Sequence, residues 1–189
     1  MSNLKNAIRK EILIERKHFD IDEFYTENDL IIKNVQTLLS ALYKDLTHKW
    51  ELGLYLPLKG EPDLTKIMLN SKWAVSLPKI EDNKIKFVYY KIGDKLEKCE
   101  KGTMQPVSDS ASIPNVIFAP GLSYSIKGHR LGFGGGYYDK YFFERKNITT
   151  TAPIKIGVCF DEFLIEYLPS EKHDIKFDYI ITNKTILKL

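Results

Sequence analysis

The run Asn115–Gly121, NVIFAPG, is apolar at nearly every position and stops at Pro-Gly. A strand with one wet face alternates polar and apolar residues, so a strand with no polar face has to be covered on both sides. The chain must therefore build a sheet with layers above and below it. Shorter runs of strand character flank this one: LGLYLPL (Leu52–Leu58), halted by Pro57; WAVSLP (Trp73–Pro78); Lys84–Tyr90, with Ile85, Phe87 and Tyr89 on one face; Ile154–Cys159; and Tyr179–Thr182. Helical spacing lies between them. Leu4, Ile8 and Ile12 predict a helix over residues 4–18. Leu30, Ile31, Val35, Leu38, Leu39 and Leu42 predict a second from about Thr26 to Asp45, with Thr26 or Asn28 as its N-cap. A short helix over Asp63–Ser71, capped by Asp63, and another over Tyr137–Arg145 follow. Strands alternating with helices predict one α/β domain over residues 1–189: a three-layer α/β/α sandwich with a mostly parallel, mixed central sheet. The Gly-, Pro- and Ser-containing stretch Leu96–Pro114 is expected to be a loop, mobile in part.

Composition narrows the function. The 189 residues are 43% hydrophobic, enough for one sizeable core. The net charge is only +3, without the basic stripe of a nucleic-acid binder, and Arg9, Arg16, Arg130 and Arg145 are the only guanidiniums. No apolar run approaches the ~18 residues of a membrane span. The opening MSNLKNAIRKEIL is charged every few residues and does not read as an export signal. Cys99 and Cys159 make no disulfide framework, which fits a reducing cytoplasm. The expected partners are therefore small molecules rather than nucleic acid or membrane, with the chain acting as a monomer or weak homodimer. Scattered His18, His48, His129 and His173 make no zinc pattern, and no G-x-S-x-G elbow is present.

The chemistry concentrates in Gly128-His129-Arg130-Leu131-Gly132-Phe133-Gly134-Gly135-Gly136-Tyr137-Tyr138-Asp139. Glycines this dense cost conformational entropy, and they serve where backbone bends sharply or approaches a ligand closely. Between a buried strand and a helix, bare N–H groups can hold an anion. The spacing matches neither the dinucleotide fingerprint nor the G-x-x-x-x-G-K-[ST] loop, so a phosphate nest of another type and a tight structural turn both remain open. Arg130 is placed to fork a phosphate or to sit in solvent, with its truncation expected to cost turnover more than stability. Asp139 serves either the helix dipole or a Mg²⁺ ion beside phosphates. Tyr137, Tyr138 and Tyr141 form either core or an aromatic wall. Lys5 and Arg9, four apart on a helix, can reach one anion or face solvent. Glu61, beyond a strand's carboxyl end, has no obvious structural duty, and Asp178 just before the last strand is a weaker candidate.

The segment PGLSYSIKGHRLGFGGGYYDKYF (Pro120–Phe142) strongly resembles the signature of the 5-formyltetrahydrofolate cyclo-ligase family. The resemblance extends to Lys5 and Arg9, LYLPLKGEPD (Leu54–Asp63), LPK (Leu77–Lys79) and KHDIKFDYIIT (Lys172–Thr182). It implies ATP- and Mg²⁺-dependent conversion of 5-formyltetrahydrofolate to 5,10-methenyltetrahydrofolate, releasing ADP and phosphate. It further implies that Lys5, Arg9 and the loop Arg130, Leu131, Gly132, Phe133, Gly134, Gly135, Gly136, Tyr137 and Tyr138 bind ATP. Arg130 and Tyr138 are then the catalytic pair, and Leu56, Glu61, Gly135, Gly136 and Tyr137 contact the reduced folate. Asp139 and Asp178 become the magnesium carboxylates. Relatives often carry Arg or Tyr at the Phe133 position and Lys at the Gly135 position, so Arg130, Lys5 and backbone N–H groups carry more of the phosphate here. Two other readings stay distinct from it: a phosphosugar isomerase or CoA-transferase-like enzyme, which would consume no ATP, and a binding module that would release no phosphate.

Overall fold

A computed structural model gives the fold and describes residues 2–18, 21–43, 50–69, 72–100, 102–145, 151–171 and 174–189. The helices are α1 (Ser2–Glu15, continued by one 3-10 turn, Arg16–His18), α2 (Ile21–Tyr43), α3 (Thr65–Met68) and α4 (Tyr137–Arg145). The strands are β1 (Glu51–Gly53), β2 (Ala74–Glu81), β3 (Lys84–Tyr89), β4 (Leu96–Lys98), β5 (Met104–Pro106), β6 (Ala111–Ser112), β7 (Val116–Pro120), β8 (Ser123–Ser125), β9 (Arg130–Leu131), β10 (Ile154–Val158), β11 (Leu164–Ile165), β12 (Tyr179–Ile181) and β13 (Ile186–Lys188).

Eight strands make the central sheet in the order β13-β12-β10-β7-β1-β2-β3-β6. The five inner strands, β12 to β2, run parallel, and the antiparallel strands sit at the edges. The apolar run expected to lie inside is β7, where Val116, Ile117, Phe118 and Ala119 are all 0% exposed. Both of its faces are covered, and the layered α/β reading holds. On the face of Gly53, Ile117 and Phe87 lies α4, with Tyr141 edge-on to Phe87 at 5.1 Å. Beside it, Tyr124 of the small sheet β11-β8-β9 stacks through Phe177 to Phe142. The fully buried Ile31, Val35 and Leu39 of α2 join the same core.

The structure revises several local expectations. α2 starts at Ile21, because Asn28 has other work: its amide donates to Asp63 O at 3.0 Å and its oxygen accepts from Asp63 N–H at 2.7 Å. The expected end of this helix at Asp45, and His48 and His173, lie outside the described residues. α3 is one turn long with Leu64 at its N-cap, although the Asp63 carboxylate still accepts from Thr65 N–H at 2.8 Å. Within the stretch expected to be a loop, Leu96–Lys98 pairs with Met104–Pro106 as the β4–β5 hairpin and Ala111–Ser112 forms the edge strand β6. Two side chains dock this hairpin on β2. Gln105 Oε1 accepts from Ile80 N–H at 3.0 Å, and the buried Lys79 ammonium donates to Val107 O, Ser108 O and Asp109.

β1 also ends early, at Gly53 rather than Leu58. Pro57 has no N–H to donate, and the chain turns at Gly60 (φ +79°), closed by Glu61 N–H on Leu58 O. Its neighbours run on, β7 to Pro120 and β2 to Glu81. A gap therefore opens in the sheet beyond Gly53. It lies at the carboxyl ends of the parallel strands, where the chain order reverses from β1-β2-β3-β6 to β7-β10-β12, the position at which open α/β sheets receive ligands.

Candidate active site

A cavity of about 1010 Å³ opens at this gap. Tyr55, Leu56, Leu58 and Glu61 line it from the segment after β1, Pro78 and Ile80 from β2, and Pro120 from β7. Lys5 and Arg9 of α1 and Arg130, Gly132 to Asp139 and Lys140 line it as well.

α1 turns differently from the apolar reading. Leu4 is 53% exposed, and the inward stripe runs Lys5, Ile8, Arg9, Ile12, Arg16, so the cations face the protein. Lys5 ion-pairs with Asp174 at 2.6 Å, and Arg9 Nε donates to Gly132 O at 2.9 Å. The two cations line one cavity, as their spacing allows, and the N-terminal helix is tied by Arg9 to the glycine loop.

The loop itself lies open at the cavity, with Phe133, Gly134 and Gly135 exposed. Gly134 (φ +107°) and Gly136 (φ +65°) take backbone conformations that a Cβ resists. Among the described residues, none of the N–H groups from Gly132 to Gly136 donates a hydrogen bond to the protein. A tight turn serving stability alone would close on itself. This one presents unpaired donors just ahead of α4, the makings of an anion nest.

Arg130 is woven into the fold. It donates to Pro120 O at 3.1 Å, pairs with Asp139 at 3.0 Å and lies 5.0 Å above the Tyr138 ring. These contacts mean that its truncation will cost stability in its own right. Tyr138 is 8% exposed and its hydroxyl has no partner among the described residues. Burial raises the phenol pKa, against the pull of Arg130 and with a push from Glu61, so it stays a neutral O–H donor. Tyr137 lines the cavity, whereas Tyr141 packs in the core against Phe87 and Phe142.

Glu61 is the other orphan. It is 1% exposed; Oε2 accepts from Leu58 N–H at 2.8 Å, while Oε1 is buried and unpaired. Burial raises its pKa, and the Leu58 hydrogen bond and the charges of Arg16 and Arg130 oppose that rise. A buried oxygen left without a partner costs free energy, and a ligand N–H facing it would recover that cost.

The two aspartates expected as magnesium carboxylates are not brought together. Asp139 lines the cavity. Asp178 does not: it precedes β12, and its carboxylate accepts from Lys155 N–H at 2.7 Å and the Lys155 ammonium at 2.8 Å, near the amino ends of the parallel strands. No group of three or more His, Cys, Asp or Glu side chains among the described residues could cage a metal. Asp139, in the first turn of the helix that follows the loop, lines the cavity, and its Oδ2 takes Arg130. That donor set fits Mg²⁺ carried on phosphate oxygens, which needs only one or two protein carboxylates.

Thr103, Met104 and Gln105 of the hairpin also line the cavity, as do Phe143, Glu171 and Asp174, which sequence reading missed. Only long-range packing brings them there. Arg16, eleven residues after Lys5 on the same inward stripe, carried a signal that the helix period could have exposed.

The model of the 5-formyltetrahydrofolate cyclo-ligase family matches residues 1–183. The chain belongs to this family. A Mycoplasma genitalium 5-formyltetrahydrofolate cyclo-ligase is 28% identical over 188 residues, covering 95% of this chain and 98% of that protein. The yeast cyclo-ligase of Saccharomyces cerevisiae is 38% identical over 80 residues, a match covering 41% of this chain and 37% of the yeast protein. An Aquifex aeolicus 5,10-methenyltetrahydrofolate synthetase structure superposes with a TM-score of 0.81 at 29% identity, covering 98% of this chain and 92% of that one. The Mycoplasma pneumoniae 5,10-methenyltetrahydrofolate synthetase shares the fold, with a TM-score of 0.70. Members of this family of ligases use ATP as co-substrate, and the open glycine loop with its neighbouring cations is the part of this cavity suited to a triphosphate.

Proposed function

We propose that the chain converts 5-formyltetrahydrofolate to 5,10-methenyltetrahydrofolate at the expense of ATP. The supporting observation is one cavity lined by two unlike kinds of group: unpaired amides with the cations Lys5, Arg9 and Arg130, and Glu61, whose Oε1 is buried without a partner among the described residues. The first kind suits a triphosphate and the second suits the amino and ring N–H donors of a pterin.

An N-formyl group is amide-like, with a carbon too weak an electrophile for the neighbouring nitrogen. The formyl oxygen attacks the γ-phosphorus and ADP leaves with the bridging electrons. The neighbouring folate nitrogen then attacks the formyl carbon, the C–O bond breaks with phosphate as leaving group, and the nitrogen gives up its proton. The ring closes as the methenyl cation. The protein's task is placement and charge: the Gly132–Gly136 amides and Arg130 hold the phosphoryl oxygens, and Lys5 and Arg9 hold the rest of the triphosphate. The Tyr138 hydroxyl donates to a reacting oxygen, and one well-aimed donor of this kind contributes about 2.7–4 kcal/mol to the barrier. Leu56, Gly135, Gly136 and Tyr137 pack the folate against Glu61. Asp139 would hold Mg²⁺ carried on the nucleotide, and the ion would supply charge neutralisation there. The enzyme acts in the cytoplasm as a monomer or weak homodimer; among the described residues no helix is long and apolar enough to cross a membrane.

The test is direct. Purified protein, ATP, Mg²⁺ and 5-formyltetrahydrofolate should give the near-ultraviolet absorption of the methenyl product with one phosphate per turnover, and omitting ATP should abolish it. Product without ATP would point to another enzyme class, and binding of both ligands without phosphate release to a binding module; either refutes the proposal.

A further inference from the structure

Arg16 is 5% exposed and touches no part of the cavity, yet it organises the wall that carries Glu61. Its Nη2 donates to Gly121 O at 2.6 Å and Leu122 O at 3.0 Å, directly beyond the Pro120 carbonyl that Arg130 holds. Phe163 covers the guanidinium at 4.9 Å. The Arg16 stem packs on the turn before Glu61, with Cδ 3.4 Å from where a Cβ on Gly60 would stand. Nε and Nη1 are buried and unpaired among the described residues, as is Glu61 Oε1. A buried cation with two idle donors thus stands behind a buried anion with one idle acceptor.

We propose that Arg16 is a positioning residue for the substrate-binding carboxylate: its fixed guanidinium supplies the counter-charge that keeps Glu61 a carboxylate, whose buried, unpartnered Oε1 then accepts from a ligand N–H. This rests on the cyclo-ligase reading only for the identity of that ligand. Two cations act on Glu61, Arg16 from the turn after α1 and Arg130 from β9, and the phenols Tyr55, Tyr124 and Tyr138 surround it. Arg130 already spends its charge on Asp139 at 3.0 Å, and in the proposed complex on phosphate as well. Arg16 has no ion pair among the described residues, so its field is left for Glu61. Burial alone pushes the carboxyl toward the neutral acid, and a protonated Glu61 would offer the ligand a donor where an acceptor is needed.

The test follows the Glu61 carboxyl carbon by ¹³C NMR in the full chain without ligands, assigned by its loss in Glu61→Gln. In the wild type Glu61 should be ionised at pH 7. Arg16→Met should move its midpoint up by at least one pH unit, and Arg16→Lys should restore most of the difference. In the ATP-dependent assay, Arg16→Met should raise KM for 5-formyltetrahydrofolate about tenfold near pH 6.5, with recovery as pH rises and KM for ATP changed less than twofold. A folded Arg16→Met protein with an unmoved Glu61 midpoint, or with a KM raised equally at every pH, overturns the proposal. If Arg16→Met does not fold, a wild-type Glu61 that is protonated at pH 7, or an Arg16→Lys midpoint displaced as far as loss of charge would give, overturns it instead. The NMR readout needs no turnover, so an inactive enzyme would count against the cyclo-ligase reading and leave this one standing or falling separately.

Discussion

Replacing Gly134 by Ala separates a loop built to bind from a loop built to pack. Its φ of +107° lies where an L side chain is strained by about 1–3 kcal/mol. Space is not the obstacle, since the nearest atom to an added Cβ is Arg9 Cζ at 4.0 Å. Among the described residues the N–H groups from Gly132 to Gly136 have no partner, so the backbone can rotate out of the strained region and shed most of that energy. Thermal stability should fall by less than about 1 kcal/mol, a few degrees at most for a domain of this size. Rotation re-aims the peptide N–H groups, and losing one charge-assisted bond to phosphate costs about 1.5–3 kcal/mol, or tenfold to more than hundredfold in nucleotide affinity. Calorimetric titration with ATP and a melting curve read the two quantities on one sample. Gly157→Ala is the control with the opposite signature, because its Cβ would stand 2.3 Å from Cε1 of the fully buried Tyr124 ring and stability should collapse. A Gly134→Ala protein that binds ATP normally, or melts as badly as Gly157→Ala, would refute the nest.

Arg130→Ala and Asp139→Asn should each destabilise the fold by about 1.5–3 kcal/mol, and the double variant by less than their sum, in denaturant titrations of the cycle. Exact additivity would mean that the 3.0 Å pair does not operate in solution. Glu61→Gln should raise KM for 5-formyltetrahydrofolate at least tenfold and leave ATP binding within twofold, since amide donors would then face ligand donors. Its melting profile carries a second sign: a carboxyl with a raised folded-state pKa is stabilising below its ordinary pKa of 4.5 and loses that stabilisation as pH rises through the folded value. The melting temperature of Glu61→Gln relative to wild type should therefore climb with pH across that window, and a flat difference would contradict the burial effect. Lys79→Met cuts the ammonium from Val107 O, Ser108 O and Asp109 and should loosen the hairpin that carries Met104 to the cavity. We expect faster amide exchange at residues 96–98 and 104–106 and a raised folate KM, with β7 exchange unchanged as the check.

The sheet was legible because its inner strand carries no polar residue, and the start of α4 was read correctly because a glycine run precedes it. The glycine loop was legible for a related reason: residues that no core needs stand out in a sequence. What failed to read has physical causes too. Tyr55 and Leu56 have strand character, but the turn closed by Glu61 on Leu58 removes them from the sheet, and that turn depends on a carboxylate buried by distant segments. The α1 stripe was assigned to Leu4 on hydrophobicity, while folding turns Lys5, Arg9 and Arg16 inward because each finds an acceptor there: Asp174, Gly132 O and Gly121 O. Asp178 resembled a site residue by motif, yet Lys155 claims its carboxylate two strands away from β1. Pairing of this kind has no local signature, since each partner is more than twenty residues distant.

The short β1 is what brings a buried carboxylate into the same cavity as the glycine loop. Had the strand continued to Leu58, as its residues allow, it would have filled the space between β7 and β2, and Glu61 would have followed a solvent-exposed strand end. Stopping at Gly53 sends the chain inward instead, so that Glu61 is buried and lines the same cavity as the glycine loop and the inward face of α1. An anion has no donor to offer the Glu61 carboxylate, but it can take the unpaired amides and cations of the loop; a ligand rich in N–H donors is suited to Glu61 for the converse reason. Under the proposed reaction this difference in chemistry is what would sort two ligands within one crevice, and a reaction between a phosphate and a neighbouring amide-like oxygen needs little more from the protein than such placement.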